Sequence, residues 1–165
     1  MILIGLGANL PSAAGAPRDT LEAALRHLAA VGVLTLQRSR WFVSRPEPAS
    51  DQPWFVNGVA SVATTLDPAG LLTALHRVEA AFGRVRSAPN AARTLDLDLL
   101  AYGDRIDDPP PGGGPILPHP RLAARAFVLL PLADVAPAWY HPATGRPLTE
   151  LIQALGDAGG TRPLE

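Results

Sequence analysis

The chain has 165 residues, enough for one domain with a substantial core, and its net charge of -1 with 18% charged residues does not favour a nucleic-acid or membrane surface. Cysteine is absent, which excludes disulfides, thiol catalysis and thiolate metal ligands. All 14 basic residues are arginine. A composition bias explains this, but its consequence is that phosphate chemistry here has to rely on arginine and metal rather than lysine.

The N-terminal sequence MILIGLGANL contains no basic region, and its apolar run is too short for a signal peptide or a membrane span. We therefore expect a soluble cytoplasmic protein that is a monomer with a single domain over residues 1–165.

The first half of the chain predicts a strand, a helix and two more strands. Residues 2–7 form a short apolar run, and Asp19 with Glu22 resembles a capping box before an apolar stripe that stops at Gly32. Residues 33–43 and 54–66 are rich in β-branched and aromatic side chains, which favours strands.

The next elements are a helix and a strand. Asp67 and Pro68 have the form of an N-cap and a first helical residue, and the apolar stripe that follows ends at Gly83. The stretch RTLDLDLLAYGD, residues 93–104, reads as a strand.

This order, β-α-β-β-α-β, predicts an α+β fold of the ferredoxin-like type, with a four-stranded antiparallel sheet and helices on one face. The remainder contains the loop DDPPPGGGP, the apolar stretch FVLLPLADVAPAWY and a short helix near 148–155. We interpret it as a C-terminal elaboration of the same domain. Because this sheet hosts many activities, function has to be argued from sites.

The strand at 93–104 provides the sharpest candidate site. Side chains alternate across a strand, so Leu95, Leu97 and Leu99 share one face while Thr94, Asp96 and Asp98 share the other. Two carboxylates at this spacing suit one or two Mg²⁺ ions, and nearby arginines suit a metal-bound polyphosphate; these are Arg84, Arg86 and Arg93. The alternatives are a solvated strand face or a surface ladder of ion pairs.

Two further segments are weaker candidates. In LPHPRLAARAF, His119 lies between prolines, and Arg121 and Arg125 are spaced to face one phosphate, although a structural histidine is the plainer interpretation. In SRPEPASDQPWFVNGVA, Phe55 and Asn57 share a strand face and suit a flat heterocycle, but an ordinary loop and strand explain them nearly as well.

Taken together, these segments resemble the 6-hydroxymethyl-7,8-dihydropterin pyrophosphokinase family. LIGLGANL, DQPWFVNGVA, GRVR, RTLDLDLLAYGD and LPHPRLAARAFVLLPLADVAP carry the resemblance over nearly the whole chain, in order. The resemblance implies a ferredoxin-like core and transfer of pyrophosphate from ATP to the pterin hydroxymethyl group, with release of AMP, in folate biosynthesis.

The resemblance also implies roles for individual residues. Asp96 and Asp98 would hold two Mg²⁺ ions, and Arg84 and Arg93 would stabilise charge on the transferring group. The nucleotide would be bound by Arg84 again and by His76, Glu79, Arg86, Leu99, Ile116, His119 and Arg125. The pterin would be bound by Asp96 and by Ser44, Arg45, Pro46, Phe55, Asn57 and Phe127, with the two phenylalanines on either side of its ring.

The chain departs from the family pattern in three places. SAPNAA, residues 87–92, stands where many relatives carry a loop tryptophan, Ser44-Arg45-Pro46 replaces Thr-Pro-Pro, and Phe55 replaces a tyrosine. These changes bear on lid closure and pterin affinity. Two other classes stay open. Another nucleotide-dependent enzyme, such as a nucleotidyl cyclase, is not expected to carry the PHPR and pterin-loop segments. An RNA- or ligand-binding module needs a basic sheet face with stacked aromatics, against which the net charge and RTLDLDLL argue.

Overall fold

The computed structural model describes residues 1–84, 92–108 and 111–164. In chain order the elements are β1 (Ile2–Ala8), α1 (Pro17–Ala30), β2 (Leu34–Arg38), β3 (Phe42–Ser44), β4 (Phe55–Ala63), α2 (Pro68–Ala81), β5 (Asp96–Tyr102), α3 (Ala126–Val135), α4 (Leu148–Gln153) and β6 (Arg162–Pro163). Short 3₁₀ turns occupy Pro111–Gly113 and Leu122–Ala124. Among the described residues, no helix has the length and apolar character needed to cross a membrane.

The sheet is antiparallel, with strand order β5-β1-β4-β3-β6 and with β2 also paired to β4. Because β2 and β3 together occupy the place of the second strand, the order matches the predicted β-α-β-β-α-β core, and the ferredoxin-like fold is confirmed.

Two apolar clusters cover the two faces of the sheet. On one face, α1 and α2 bury residues such as Leu21 and Leu75 against Leu6 and Leu97. On the other face, the C-terminal elaboration places α3 over Leu3, Val59 and Leu100. The two crossover helices therefore share one face as expected, and the elaboration adds a second helical layer.

Two local predictions need correction. Asp19 is not the N-cap of α1: the helix begins earlier, and the Asp19 carboxylate at its third position accepts a hydrogen bond from Ala16 N (3.2 Å). Glu22 instead accepts from Trp41 Nε1 (3.3 Å). Pro17 at the first helical position was the better signal.

The second correction concerns residues 33–43, which form two strands rather than one. Between β2 and β3, Val59 N donates to Ser39 Oγ (3.0 Å), and Ser39 N donates to Val59 O (2.8 Å). The Trp41 ring then lies over Gly58, where an added β-carbon would be only 2.5 Å from the ring. The strand breaks because Trp41 packs on a neighbouring strand that has no side chain at this position, which depends on tertiary contact.

By contrast, Asp67 caps α2 as predicted, since Gly70 N donates to its Oδ1 (2.7 Å).

Candidate active site

A cavity of about 520 Å³ opens on the α3 side of the sheet, next to the N-terminal end of that helix. It is lined by β1, β4 and β5, by one end of α2, and by the segments around residues 44–52 and 115–128. A pocket of this size, with charged groups converging on it, is the default location for substrate binding.

Two glycines of β1 make room for this cavity. Gly5 and Gly7 are paired with Asp98 and Asp96, respectively, and Gly7 is also paired with Asn57 on the other side. A β-carbon on Gly7 would be 3.0 Å from Asn57 Oδ1. The missing side chains leave the floor of the pocket open between the polar groups of β4 and β5.

Asp96 is the centre of an ion-paired cluster. Its Oδ2 accepts a hydrogen bond from Arg93 Nη1 (2.8 Å), and its Oδ1 accepts from Arg84 Nη1. Burial alone would raise the pKa of the Asp96 carboxyl, but the charges of Arg93 and Arg84 outweigh that effect and hold the pKa below its usual value. Asp96 is therefore a carboxylate at neutral pH.

Glu79 supports this cluster from α2. Its side chain is 2% exposed, and its Oε2 accepts from Arg84 Nη1 (2.7 Å) and from Leu97 N (2.8 Å). The carboxylate thus joins α2 to β5 and fixes the guanidinium of Arg84 against Asp96. A buried arginine held between two carboxylates is positioned before any substrate arrives.

Asp98 has a different environment. Burial and the adjacent charge of Asp96 raise the pKa of the Asp98 carboxyl to about 6, against the opposing charges of Arg125, Arg93 and Arg84. Among the described residues, no hydrogen bond to this carboxylate is formed. A partly buried acid with no donor among the described residues is a poor structural residue and a suitable ligand for a cation.

The donor set fits Mg²⁺. Within the described part of the chain, no group of three or more histidine or acidic side chains is arranged to hold a metal ion. The two carboxylates of β5 that line the pocket, Asp96 and Asp98, are the ligands that would hold it. Mg²⁺ commonly takes only one or two protein carboxylates and completes its octahedron with water and phosphate oxygens.

Around residues 119–125, two arginines and a histidine form what we call the cationic wall of the pocket: Arg121, Arg125 and His119. Burial and the charges of Arg125 and Arg121 lower the pKa of His119 to about 4, so its ring is neutral at pH 7. His119 Nδ1 accepts a hydrogen bond from Arg121 N (3.2 Å), which leaves Nε2 as the protonated donor. Burial and Arg121 likewise lower the pKa of Arg125.

Polar and aromatic groups of β3, β4 and α3 line the same pocket. Asn57 Nδ2 donates to Ser44 Oγ (2.7 Å), and both side chains are buried. Phe55 lies on the same face of β4 as Asn57, and Phe127 begins α3, with the Arg125 guanidinium 5.3 Å from its ring centroid. An amide and two aromatic rings that line one pocket suit a flat heterocycle with hydrogen-bonding edges.

Most of the predicted site residues meet at this cavity. Its lining includes His76, Glu79, Arg84, Arg93, Asp96, Asp98, Leu99, Ile116, His119, Arg125, Ser44, Arg45, Pro46, Phe55, Asn57 and Phe127. Leu99 is only 3% exposed and belongs mainly to the core, whereas Ile116 is 38% exposed at the rim. Arg86 lies outside the described residues, as does most of the SAPNAA loop.

Asn9 was missed as a functional candidate. Its Oδ1 accepts from Arg93 N (2.8 Å), and its Nδ2 donates to Gln52 Oε1 (3.1 Å) and Pro53 O (3.0 Å). One buried amide therefore ties the end of β1 to the loop before β4 and to the segment that carries Arg93. The Gly-Ala-Asn sequence after β1 was the available signal, but its partners are distant in sequence.

Comparison with known proteins agrees with this arrangement. The sequence profile of the family 7,8-dihydro-6-hydroxymethylpterin-pyrophosphokinase matches residues 3–137. A 2-amino-4-hydroxy-6-hydroxymethyldihydropteridine pyrophosphokinase from Pseudomonas aeruginosa is 42% identical over 154 residues, 93% of this chain and 90% of the relative. One from Synechocystis sp. is 38% identical over 152 residues, 92% of this chain and 74% of the relative.

A solved structure shares the fold. The wild-type Plasmodium falciparum HPPK-DHPS chain with pteroate superposes with a TM-score of 0.70 at 13% identity, covering 92% of this chain. This chain spans 43% of that longer protein.

The fold and the pocket thus define a phosphate-transferring enzyme with an anionic pair and a cationic wall. The chain belongs to the 7,8-dihydro-6-hydroxymethylpterin-pyrophosphokinase family, and it is a pyrophosphokinase that uses ATP.

Proposed function

We propose that this pocket transfers pyrophosphate from ATP to the hydroxymethyl group of 6-hydroxymethyl-7,8-dihydropterin, as a step of folate biosynthesis. The observation that carries the proposal is the Asp96 and Asp98 pair on β5, which lines one open cavity together with arginines, Asn57 and two phenylalanines. We place the reaction in the cytoplasm and expect a monomer.

The residues divide between the two substrates. The triphosphate lies against Arg125 and the neutral His119, whose Nε2 donates a hydrogen bond, with Ile116 and Leu99 near the base. The pterin lies between Phe55 and Phe127, and its polar edge meets Asn57 and backbone groups of residues 44–46. This arrangement brings the hydroxymethyl oxygen and the β-phosphorus together at Asp96 and Asp98.

Catalysis in this arrangement comes from positioning and charge neutralisation. The substrate hydroxyl attacks the β-phosphorus and AMP leaves, so no covalent enzyme intermediate is needed. Arg84 and Arg93, already ordered by Asp96 and Glu79, neutralise the charge that develops on the transferring group. Two Mg²⁺ ions on Asp96 and Asp98 would supply Lewis-acid activation when bound.

The test is to identify both products. Purified protein with ATP, MgCl₂ and 6-hydroxymethyl-7,8-dihydropterin should give AMP and the pterin diphosphate in equal amounts, resolved by chromatography and ³¹P NMR. The 6-methyl analogue, which lacks the hydroxyl, is the control and should give neither. Release of ADP, or absence of the pterin diphosphate, would overturn the proposal. Loss of activity in EDTA and its recovery with Mg²⁺ tests the metal requirement separately.

A further inference from the structure

The last described residues of the chain form a strap over the loop that enters the pocket. We use "C-terminal strap" for residues 157–164 and "substrate loop" for residues 44–54. The family profile ends at residue 137, so the strap lies beyond the matched region. Its end is anchored: Leu164 N donates to Trp41 O (2.8 Å), and the Leu164 side chain packs against the main core.

The strap extends the sheet next to the start of the substrate loop. In β6, Pro163 pairs with Phe42, and Arg162 pairs with Val43 on β3. The residue that follows on β3 is Ser44, the hydrogen-bond partner of Asn57 in the pocket. The strap therefore covers what would otherwise be the outer edge of a three-residue strand that carries a pocket residue.

At the beginning of the substrate loop, the strap holds Arg45. The Arg45 amide donates to Gly159 O (3.0 Å), and Arg45 Nη2 lies 3.2 Å from Asp157 Oδ2. The Asp157 side chain also accepts from Gly159 N at 3.0 Å, which shapes the turn that presents the Gly159 carbonyl. Since both ion-pair side chains are largely exposed, the backbone bond is the firmer contact.

At the far end of the substrate loop, the strap holds Trp54. Gly160 adopts φ +69°, and a β-carbon added there would be 2.9 Å from the Trp54 ring. The Arg162 guanidinium lies 5.3 Å from the same ring's centroid. Trp54 immediately precedes Phe55, which lines the pocket. The strap thus contacts the loop at both of its ends.

We infer that the C-terminal strap positions the substrate loop for the pterin, with Asp157, Gly160 and Arg162 as positioning residues. This inference rests on the proposed function. None of the three residues lines the pocket, so they act through Ser44, Arg45 and Phe55. Loosening the strap should therefore weaken pterin binding selectively. ATP binding should be unaffected, because its proposed contacts at residues 116–125 belong to a different segment.

The sharpest variant is Gly160→Ala, with Gly145→Ala as its matched control. Gly145 adopts nearly the same backbone conformation, φ +72°, but nothing lies within 4 Å of an added β-carbon. Both variants carry the same backbone strain, and only Gly160→Ala displaces Trp54. We expect Gly160→Ala to raise KM for the pterin by about tenfold, with kcat and KM for ATP within about twofold of wild type. Gly145→Ala should match wild type in kcat and in both KM values.

A second pair of variants tests the cation over Trp54. Arg162→Ala should raise KM for the pterin by about threefold, and Arg162→Lys, which keeps the charge, should restore most of the loss. The control is Arg146→Ala, which also removes an arginine, in this case from an exposed ion pair with Glu150.

Hydrogen exchange of the ligand-free proteins completes the test. Residues 44–54 should exchange faster in Gly160→Ala than in Gly145→Ala, whatever the substrate is. Faster exchange in Gly160→Ala with an unchanged KM for the pterin would show that the strap is only a structural support and would overturn the inference. Unchanged exchange and KM in both Gly160→Ala and Arg162→Ala would overturn it as well. If the wild-type protein forms no pterin diphosphate, the proposed function fails instead, and exchange still reports on the strap.

Discussion

Asp96 and Asp98 show how two identical residues, two positions apart on one strand, acquire opposite properties. Asp96 receives hydrogen bonds from two arginines, and its pKa is lowered. For Asp98, burial and the adjacent charge of Asp96 raise the pKa. The ionised form of Asp96 is therefore stabilised by the fold, and that of Asp98 is destabilised. Paired acids of this kind are typical of functional sites.

The first prediction follows from this difference. Asp96→Asn and Asp98→Asn should both abolish Mg²⁺-dependent transfer, but their effects on stability should be opposite. In EDTA at pH 7.5, Asp98→Asn should stabilise the protein by about 1–3 kcal/mol because it removes an unfavourable buried charge. Asp96→Asn should destabilise it by a similar amount because Arg84 and Arg93 lose a charged partner. Urea unfolding measures both, and equal effects of the same sign would contradict the assignment.

The arginines should also differ in function. Arg84→Ala and Arg93→Ala should lower kcat by about a hundredfold or more, because both guanidinium groups are held at Asp96, beside the proposed position of the transferring group on which charge develops. Arg125→Ala should mainly raise KM for ATP. Steady-state kinetics on the three variants decides this. Equal losses in KM alone would mean that Arg84 and Arg93 only bind substrate.

At the scale of residues, the sequence predicted where the two carboxylates lie but not which side chains hold the neighbouring segments in place. The period-two pattern placed Asp96 and Asp98 on the face opposite Leu97 and Leu99, as the structure has it. Nothing local in the sequence could predict that Asn9 joins three segments, because its partners lie 43 or more positions away. Side-chain contacts of that separation exist only once the sheet is assembled.

At the scale of elements, the Asn9 side chain connects the end of β1 with the loop before β4 and with the segment that carries Arg93. Asn9→Ala removes all three side-chain hydrogen bonds and leaves Arg93 N without its Asn9 acceptor. We predict a loss of stability of about 1–3 kcal/mol, and a fall in kcat that exceeds any change in KM, because Arg93 is then held here only by the backbone bonds from Asn9 N and Leu10 N to its carbonyl oxygen. Thermal unfolding and steady-state kinetics measure the two effects, with Ser50→Ala, whose side chain accepts one exposed loop bond, as the control. A stability loss with normal kcat would make Asn9 purely structural.

Element boundaries that depend on neighbouring residues were predicted well. Boundaries that depend on contacts between distant parts of the chain were not. The Asp67 cap fixes the start of α2 from within four residues of sequence. The break between β2 and β3 instead depends on Trp41 packing over Gly58, and β6 depends on an edge left by β3. Neither contact leaves a periodic pattern in the sequence.

One ion pair ties α3 to the connection between β2 and β3 and gives a pH prediction. Asp134 accepts hydrogen bonds from Arg40 N (3.0 Å), Nε (3.0 Å) and Nη2 (3.1 Å). Although burial opposes it, this bonding lowers the pKa of Asp134 from 3.8, so its stabilising effect is present above pH 4 and is lost as pH falls through the folded-state pKa. Asp134→Asn should lower Tm by about 1–4 °C at pH 7.

That difference in Tm should shrink towards zero as pH falls through the folded-state pKa of Asp134, because the wild-type carboxyl then also becomes protonated. Glu150→Gln, which neutralises the exposed pair with Arg146, is the matched control and should change Tm less over the same pH range. A Tm difference for Asp134→Asn that is independent of pH would show that packing, not the charge, stabilises this contact.

In the whole molecule, the pocket lies where the second helical layer leaves the sheet uncovered. α3 covers the sheet at Leu3, Val59 and Leu100, and the polar residues of β4 and β5 continue the same face beyond its N-terminal end. The candidate carboxylates therefore lie on the central sheet, while several of the segments that border the opening are loops. Such an architecture allows the loops to move without disturbing Asp96 and Asp98.

The last prediction concerns that movement. We expect residues 11–17, 44–53 and 86–92 to close together over ATP and the pterin, because a pyrophosphoryl donor has to be shielded from water. The third segment lies mostly outside the described residues. The first is already tied by Ser12 N to Gly15 O (2.9 Å), and the second is held by Asn9 and the C-terminal strap, so protection should rise most in the middle of each loop.

Hydrogen exchange distinguishes loop closure from mere contact between a loop and a ligand. It is measured with an unreactive ATP analogue alone, with the pterin alone, and with both. Closure requires that the three segments gain protection together, and only when both ligands are present, since each ligand alone touches one side of the pocket. Because SAPNAA lacks the loop tryptophan of many relatives, inserting Trp in place of Asn90 should increase that protection and slow product release. Unchanged exchange at saturating concentrations of both ligands would show that the site is preformed and that closure plays no part.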